Sequence, residues 1–155
     1  MNKEDCFVIG NGESRNIFGD LMRLKEKGTV YGCKAIYRDY PLLCDKIFAA
    51  NQSMYEEVLE GKKNKNVPAE IIGPETLNQY SYKVEGDKPY PMPKGLKIYR
   101  VWKGGDNKRK KTRTIDLSTA RGSGMSAVYH AAEQGFKNIF IIAFDILGAR
   151  QWETI

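Results

Sequence analysis

Cys6-Phe7-Val8-Ile9-Gly10-Asn11-Gly12-Glu13-Ser14 joins a short apolar run to a turn that holds two glycines. An apolar run that stops abruptly at glycine reads as a buried strand. The glycines permit a sharp strand-to-helix turn, and without a Cβ the backbone there can lie against a ligand. The segment from Ser14 to Lys27 reads as a helix. Ile17, Leu21 and Leu24 recur at helical spacing, Phe18 and Met22 lie beside them, and Gly28 is the natural stop. The first free amides and the positive dipole end of that helix point back into the turn. Gly10, Asn11 and Gly12 are therefore candidate phosphate-cradling residues, and Ser14 can cap the helix or touch the phosphate. The third glycine of the dinucleotide fingerprint is missing, since Gly19 comes too late, and no Gly-Lys-Ser/Thr follows to make a P-loop. A plain tight turn is the competing reading.

Outward from this turn the chain alternates. Thr29–Cys33 is the second strand, and Tyr37–Leu43 is a turn with a short helix broken at Pro41. Lys46–Ala50 is the third strand, and Ser53–Glu60 is a helix with Ser53 as cap and Glu56 completing a capping box. Ala69–Gly73 is the fourth strand. Between Pro74 and Ile115 the alternation lapses, in a stretch with four prolines. There Leu96–Trp102 reads as a strand at a sheet edge, pairing with Arg113–Leu117 in a hairpin around Gly104–Asn107. Gly124–Gln134 is then a helix, and Asn138–Phe144 is the most apolar strand, expected at the sheet centre. The pattern implies a Rossmann-like α/β fold. A mostly parallel sheet has helices on both faces, and a basic, β-hairpin-like insertion spans about residues 74–117.

The 155 residues suit one domain, taken as residues 1–155, with enough chain to bury a core. No apolar run approaches the roughly 20 residues that cross a bilayer, and the polar start is no secretory signal. Three cysteines, Cys6, Cys33 and Cys44, show no metal-ligand spacing. A soluble, cytoplasmic protein with no membrane partner, no metal and no resident cofactor is expected. Cys6 and Cys33 fall in strands, where a small buried thiol is the plain reading. The single histidine, His130, sits in a helix whose buried face is marked by Met125, Val128 and Ala132, and it is expected to be exposed.

In open α/β sheets ligands bind beyond the carboxyl ends of the strands. That rule adds Lys34 and Arg38 after strand two, Asn51 after strand three and Asp145 after the last strand. Lys34 and Arg38 bring positive charge to the anion-favouring turn. Asp145 is placed for a ribose hydroxyl, or equally to cap the next turn. A second glycine cluster, Arg121-Gly122-Ser123-Gly124, precedes a helix. Arg121 can clamp a phosphate bidentately there, with Gly122, Ser123 and Gly124 as cradle; helix capping by Ser123 is the alternative. The net charge is +6, and Lys103–Arg113 alone holds six cations and one acid. Such a run suits nucleic acid, an anionic small ligand or plain solvation. Tyr99, Arg100 and Trp102 beside it could stack bases.

Three stretches resemble a known family. Phe7–Ser14 resembles the opening Gly-Asn-Gly-Pro-Ser motif of bacterial sialyltransferases and motility-accessory-factor-like (Maf-like) glycosyltransferases. Tyr31–Tyr37 is similar to their second-strand motif, and Gly124–Asp145 to their last common segment. Archaeal hydroxymethylpterin diphosphokinases share the domain, and short stand-alone versions in bacteriophages match this chain best in length. The resemblance covers about two-thirds of the sequence. It implies that Gly10–Ser14 line a nucleotide-phosphate site and that the second-strand motif contacts the nucleotide. The chain departs from the pattern at Glu13, where the family has proline, at Lys34 for asparagine and at Asn51 for aspartate. The lid that carries the sialyltransferase catalytic histidine has no counterpart. The implied function is thus binding of a nucleotide or nucleotide-sugar-like ligand, glycosyltransferase-like if a reaction follows. The alternatives are a phage protein that sequesters such a ligand and a nucleic-acid-binding module built on 103–113. The oligomeric state is left open.

Overall fold

Strands buried on both faces read as continuous apolar runs, and here the strands that start at Asp5, Thr29, Lys46, Glu70 and Asn138 each begin with a polar residue and carry no charged residue beyond it. β1 (Asp5–Ile9) and β7 (Asn138–Ile142) share this design and lie side by side, parallel, with Asp5 opposite Asn138 and Ile9 opposite Ile142. The computed structural model describes residues 4–11, 20–77, 95–101, 110–111 and 123–143. Between β1 and β7 come a 3-10 turn (Leu21–Arg23) leading into α1 (Leu24–Lys27), then β2 (Thr29–Cys33) and α2 (Ile36–Asp39). β3 (Lys46–Phe48), α3 (Gln52–Lys65), β4 (Glu70–Ile72), β5 (Lys97–Val101), β6 (Lys110–Lys111) and α4 (Ser123–Glu133) follow. The strands form one sheet in the order β4-β3-β2-β1-β7-β5-β6. All neighbours are parallel except β5 and β6. This is a Rossmann-like α/β fold.

Alternate residues of the central strands feed two cores. Cys6, Val8, Tyr31, Phe48, Ile139 and Ile141 face α4. Phe7, Ile9, Val30, Ile47, Phe140 and Ile142 pack with Leu21, Ile36, Leu43 and Val58 on the other side. On that second face a ladder of rings crosses three strands. Phe7 and Phe140 stack at 5.1 Å, and Phe140 and Tyr99 at 5.0 Å. Each such pair is worth about 0.5–1.5 kcal/mol beyond its buried area, which helps fix the register of β5 on β7.

The structure revises several sequence expectations. The strand around Leu96–Trp102 is not at the edge: β5 lies between β7 and β6. Its hairpin partner is Lys110–Lys111, with Tyr99 opposite Lys111, and residues 113–117 fall outside the described chain. α3 is capped by Asn51, not Ser53, because the Asn51 side chain reaches the Met54 N–H while Ser53 donates to the same oxygen. Gly28 ends α1 as expected, its N–H donating to the Leu24 carbonyl at 3.1 Å. It also lets β2 start close to β1, since a Cβ there would stand 2.6 Å from the Asp5 carbonyl oxygen. Among the described residues no helix is long and apolar enough to cross a membrane.

Candidate functional site

The carboxyl ends of the strands are finished by backbone turns and amide side chains. At the end of β1 the Gly10 N–H donates to the Ile142 carbonyl at 2.8 Å, the last rung between β1 and β7. Gly10 is buried and Asn11 half-buried. The Asn11 amide Nδ2 donates to the Cys33 carbonyl at 2.9 Å, so the glycine turn is tied directly to the end of β2. The next residue, Lys34, donates its N–H to the Phe48 carbonyl at 2.9 Å and leaves its side chain exposed. Beyond β3 the Ala50 N–H donates to Ser123 Oγ at 2.9 Å, joining this rim to the first turn of α4.

Lys34 and Ala143 follow directly or within one residue on the two strands that flank β1, and both hold positive φ, 49° and 62°. The left-handed region costs a non-glycine residue roughly 1–2 kcal/mol. The third such residue among the described ones, Asn66 (φ 52°), has an ordinary explanation: it caps the C-terminus of α3. Lys34 opens the turn from β2 into α2 and Ala143 directly follows β7, both at the carboxyl ends of strands, and strained backbone often clusters at ligand sites.

The candidate residues within the described chain separate into three groups. Gly10, Asn11 and Lys34 stand together at the ends of β1 and β2, joined through the Asn11–Cys33 hydrogen bond. Asn51 and Ser123 belong to the same rim, but their oxygens serve the fold. Asn51 caps α3, while Ser123, 1% exposed, holds the Ala50 N–H; Gly124 sits beside it in the first turn of α4. Arg38 lies one turn beyond Lys34 on α2, where its guanidinium pairs with Glu57 of α3 and leans over the Tyr37 ring at 5.8 Å. Gly12, Ser14, Arg121, Gly122 and Asp145 lie outside the described residues, as does most of the basic run.

Among the described residues the thiol nearest the rim is not set up as a nucleophile. Burial pushes the Cys33 thiol up to about 12, with Lys34 pulling weakly the other way. A thiol held that high is not a thiolate at neutral pH. Cys6 and Tyr31, deeper in the sheet, are also pushed up by burial. All three cysteines are buried, and no cluster of metal-ligating side chains occurs among the described residues.

His130 is the clear miss of the sequence reading. It is 7% exposed and packs on Tyr31 and Phe48, with ring centroids at 5.8 and 5.3 Å. Its Nε2 lies 3.3 Å from Lys46 Nζ at the start of β3, the opposite end of the sheet from the rim. The helical face count failed because α4 is buried all round: every residue from Ser126 to Ala132 is covered. A helix without a wet face gives no periodicity to read.

A groove of about 580 Å³ lined by Leu59, Lys62, Lys63, Asn66 and Val67 opens at the far end of α3. It lies away from the strand ends that carry the glycine turn, and of its two cations the half-buried Lys62 is already engaged, donating to the Ala69 carbonyl at 2.6 Å. Neither a family model, nor a curated protein, nor a solved structure matches this chain.

Proposed function

We propose that the protein binds a phosphate-bearing, nucleotide-like ligand at the carboxyl ends of β1, β2 and β7. The observation that carries this is where the winding of the sheet reverses. β2, β3 and β4 step away from β1 on one side, and β7 and β5 lie on the other. Gly10 therefore ends the strand at the switch point, where open α/β sheets take their ligands. The strained Lys34 and Ala143 flank that point, and Lys34 presents an exposed ammonium beside the glycine turn. Backbone amides of the turn would hold the phosphate, Lys34 would supply charge, and Asn11 would fix the turn against β2.

The resemblance of Phe7–Ser14 and Gly124–Asp145 to Maf-like glycosyltransferases and bacterial sialyltransferases supports a nucleotide-activated sugar as the ligand. In that reading the protein is glycosyltransferase-like, or it holds the same ligand without turning it over. Mass spectrometry of ligand released by heat from purified protein, with turnover of an added nucleotide-sugar, separates the two. One observation keeps a second reading: Lys110 and Lys111 lie on the outermost strand of the sheet, as a nucleic-acid module would place them.

Calorimetry with a panel of nucleoside mono- and diphosphates tests the main reading. A charge-assisted contact contributes roughly 1.5–3 kcal/mol, so Lys34→Ala should weaken a phosphorylated ligand about tenfold or more. The unphosphorylated nucleoside should lose less. Equal losses would show that Lys34 acts through packing. Tight, salt-sensitive binding of generic DNA or RNA, with no nucleotide bound, would move the second reading to first.

A further inference from the structure

Helix α4 is fastened to β3 near both of its ends. At the end near the glycine turn, the Ala50 N–H past β3 donates to Ser123 Oγ. About two turns along the helix, the ammonium of Lys46, the first residue of β3, lies 3.3 Å from His130 Nε2. The two contacts differ in kind. An amide donating to a hydroxyl is indifferent to pH. A lysine ammonium carries three donors and no acceptor, so it can bond Nε2 only while that nitrogen keeps its lone pair and the ring proton sits on Nδ1. A proton added at Nε2 leaves two cations 3.3 Å apart beside the rings of Tyr31 and Phe48.

We infer that the Lys46–His130 contact is a proton-sensitive latch that holds α4 on the sheet, and that its opening in mildly acidic conditions loosens the helix whose first turn borders the ligand rim. The charged surroundings favour this outcome. From β3, Lys46 opposes the imidazolium; from β4, Glu70 lies 3.9 Å from the Lys46 ammonium and offsets it in part. From α4 itself Glu133 pulls the other way, weakly. From β2 comes the Tyr31 ring, and from β1 the buried Cys6 thiol; Asp45, before β3, has one carboxylate oxygen on the Val30 N–H at 2.8 Å. Burial and Lys46 outweigh the two glutamates and hold His130 below its ordinary value, so the neutral, bonded state is the resting one near neutrality.

The effect on ligand rests on the site proposed above, but the latch itself does not, and the test separates them. Amide exchange measured as protection factors for Ala127–Ala132 should fall between pH 7.5 and 5.5, by up to about tenfold, because the opened helix takes up the His130 proton from about pH 6.5 downward and the closed one only at lower pH. In His130→Gln, whose amide oxygen can still accept from Lys46, protection should stay level across that range. If that variant does not fold, Lys46→Met serves instead: it removes the opposing cation, keeps the stem, and should raise the His130 titration midpoint followed by NMR. Level protection in the wild type, the same fall in His130→Gln, or an unmoved midpoint in Lys46→Met overturns the latch. Uridine 5′-diphosphate binding should weaken over the same pH interval as protection falls. A fall in protection with no nucleotide bound at any pH keeps the latch and removes the ligand site.

Discussion

At the amino ends of the strands the polar groups are satisfied by one another. Asn138 donates to Asp5, Asp45 takes the Val30 N–H, Lys137 pairs with Glu4, and Lys46 lies between His130 and Glu70. At the carboxyl ends the pattern is different. Gly10 ends β1, Lys34 and Ala143 hold positive φ, and the Lys34 side chain stands exposed. One end of the sheet is closed by side-chain pairs, which favour folding whatever else the protein does. The other, among the described residues, holds two strained backbones and an exposed ammonium, which disfavour folding slightly; on the proposed reading it is the end that takes the anion. The division predicts that substitutions at or below mid-sheet change stability, and that substitutions on the rim change binding.

The largest effect tests the first half of that division. Phe48 is fully buried, with the Tyr31 ring at 4.9 Å and His130 at 5.3 Å. Phe48→Ala removes the shared wall of this cluster and should cost roughly 3–5 kcal/mol, read as a lowered denaturant midpoint. Where the variant is still folded, its intrinsic affinity for nucleotide should be unchanged. A variant that kept full stability would break the comparison at its core.

How far the sequence reached follows the same line. β1, β2 and β7 were legible because strands buried on both faces must be apolar throughout, and Thr29–Cys33 and the start of β7 at Asn138 fall where the pattern puts them. Gly10 was legible as a turn because glycine after such a run has few other uses. Lys34 was legible only as a charge near that turn; its strained backbone was not, because a lysine gives no sign of positive φ. Ala143 gave no signal at all. The commitment of Arg38 to Glu57 was hidden because it joins α2 to α3, 19 residues apart, and neither sequence neighbourhood announces the other. Asn51 and Ser123 are short polar residues at helix starts, where capping and ligand contact ask for the same chemistry.

A smaller effect belongs to His130. Burial, first, and then Lys46 hold its folded-state pKa below the ordinary 6.5, against the weaker pull of Glu133 and Glu70. The unfolded chain therefore binds a proton at higher pH than the folded one. Stability is complete above about pH 6.5, falls as pH drops from there toward the folded value, and levels off below it, by about 1.4 kcal/mol for each unit of depression. Urea midpoints from pH 8 to pH 5 should show this slope in the wild type and a shallower one in His130→Gln. Equal slopes would mean that other groups set the acid response.

The smallest effect separates the two halves within one residue. Lys34 has φ 49° and an exposed side chain, so its backbone and its charge pull in opposite directions. Lys34→Ala keeps a Cβ in the strained region and removes the exposed stem with its charge, so stability should stay within about 0.5 kcal/mol. Lys34→Gly removes the charge and also relieves the left-handed penalty of roughly 1–2 kcal/mol, offset in part by glycine's greater freedom in the unfolded chain. It should therefore be more stable than the wild type by about 0.5–1 kcal/mol while binding a nucleotide as weakly as Lys34→Ala does. Asn66→Gly, at the other exposed left-handed position, should change neither affinity nor the ligand's salt dependence, because Asn66 caps α3 far from the rim. Two Lys34 variants with the same loss of affinity and different stabilities would show that the strained backbone and the ammonium are separate properties of one position. Loss of stability in both Lys34→Ala and Lys34→Gly would instead show that the turn after β2 relies on contacts of the lysine stem.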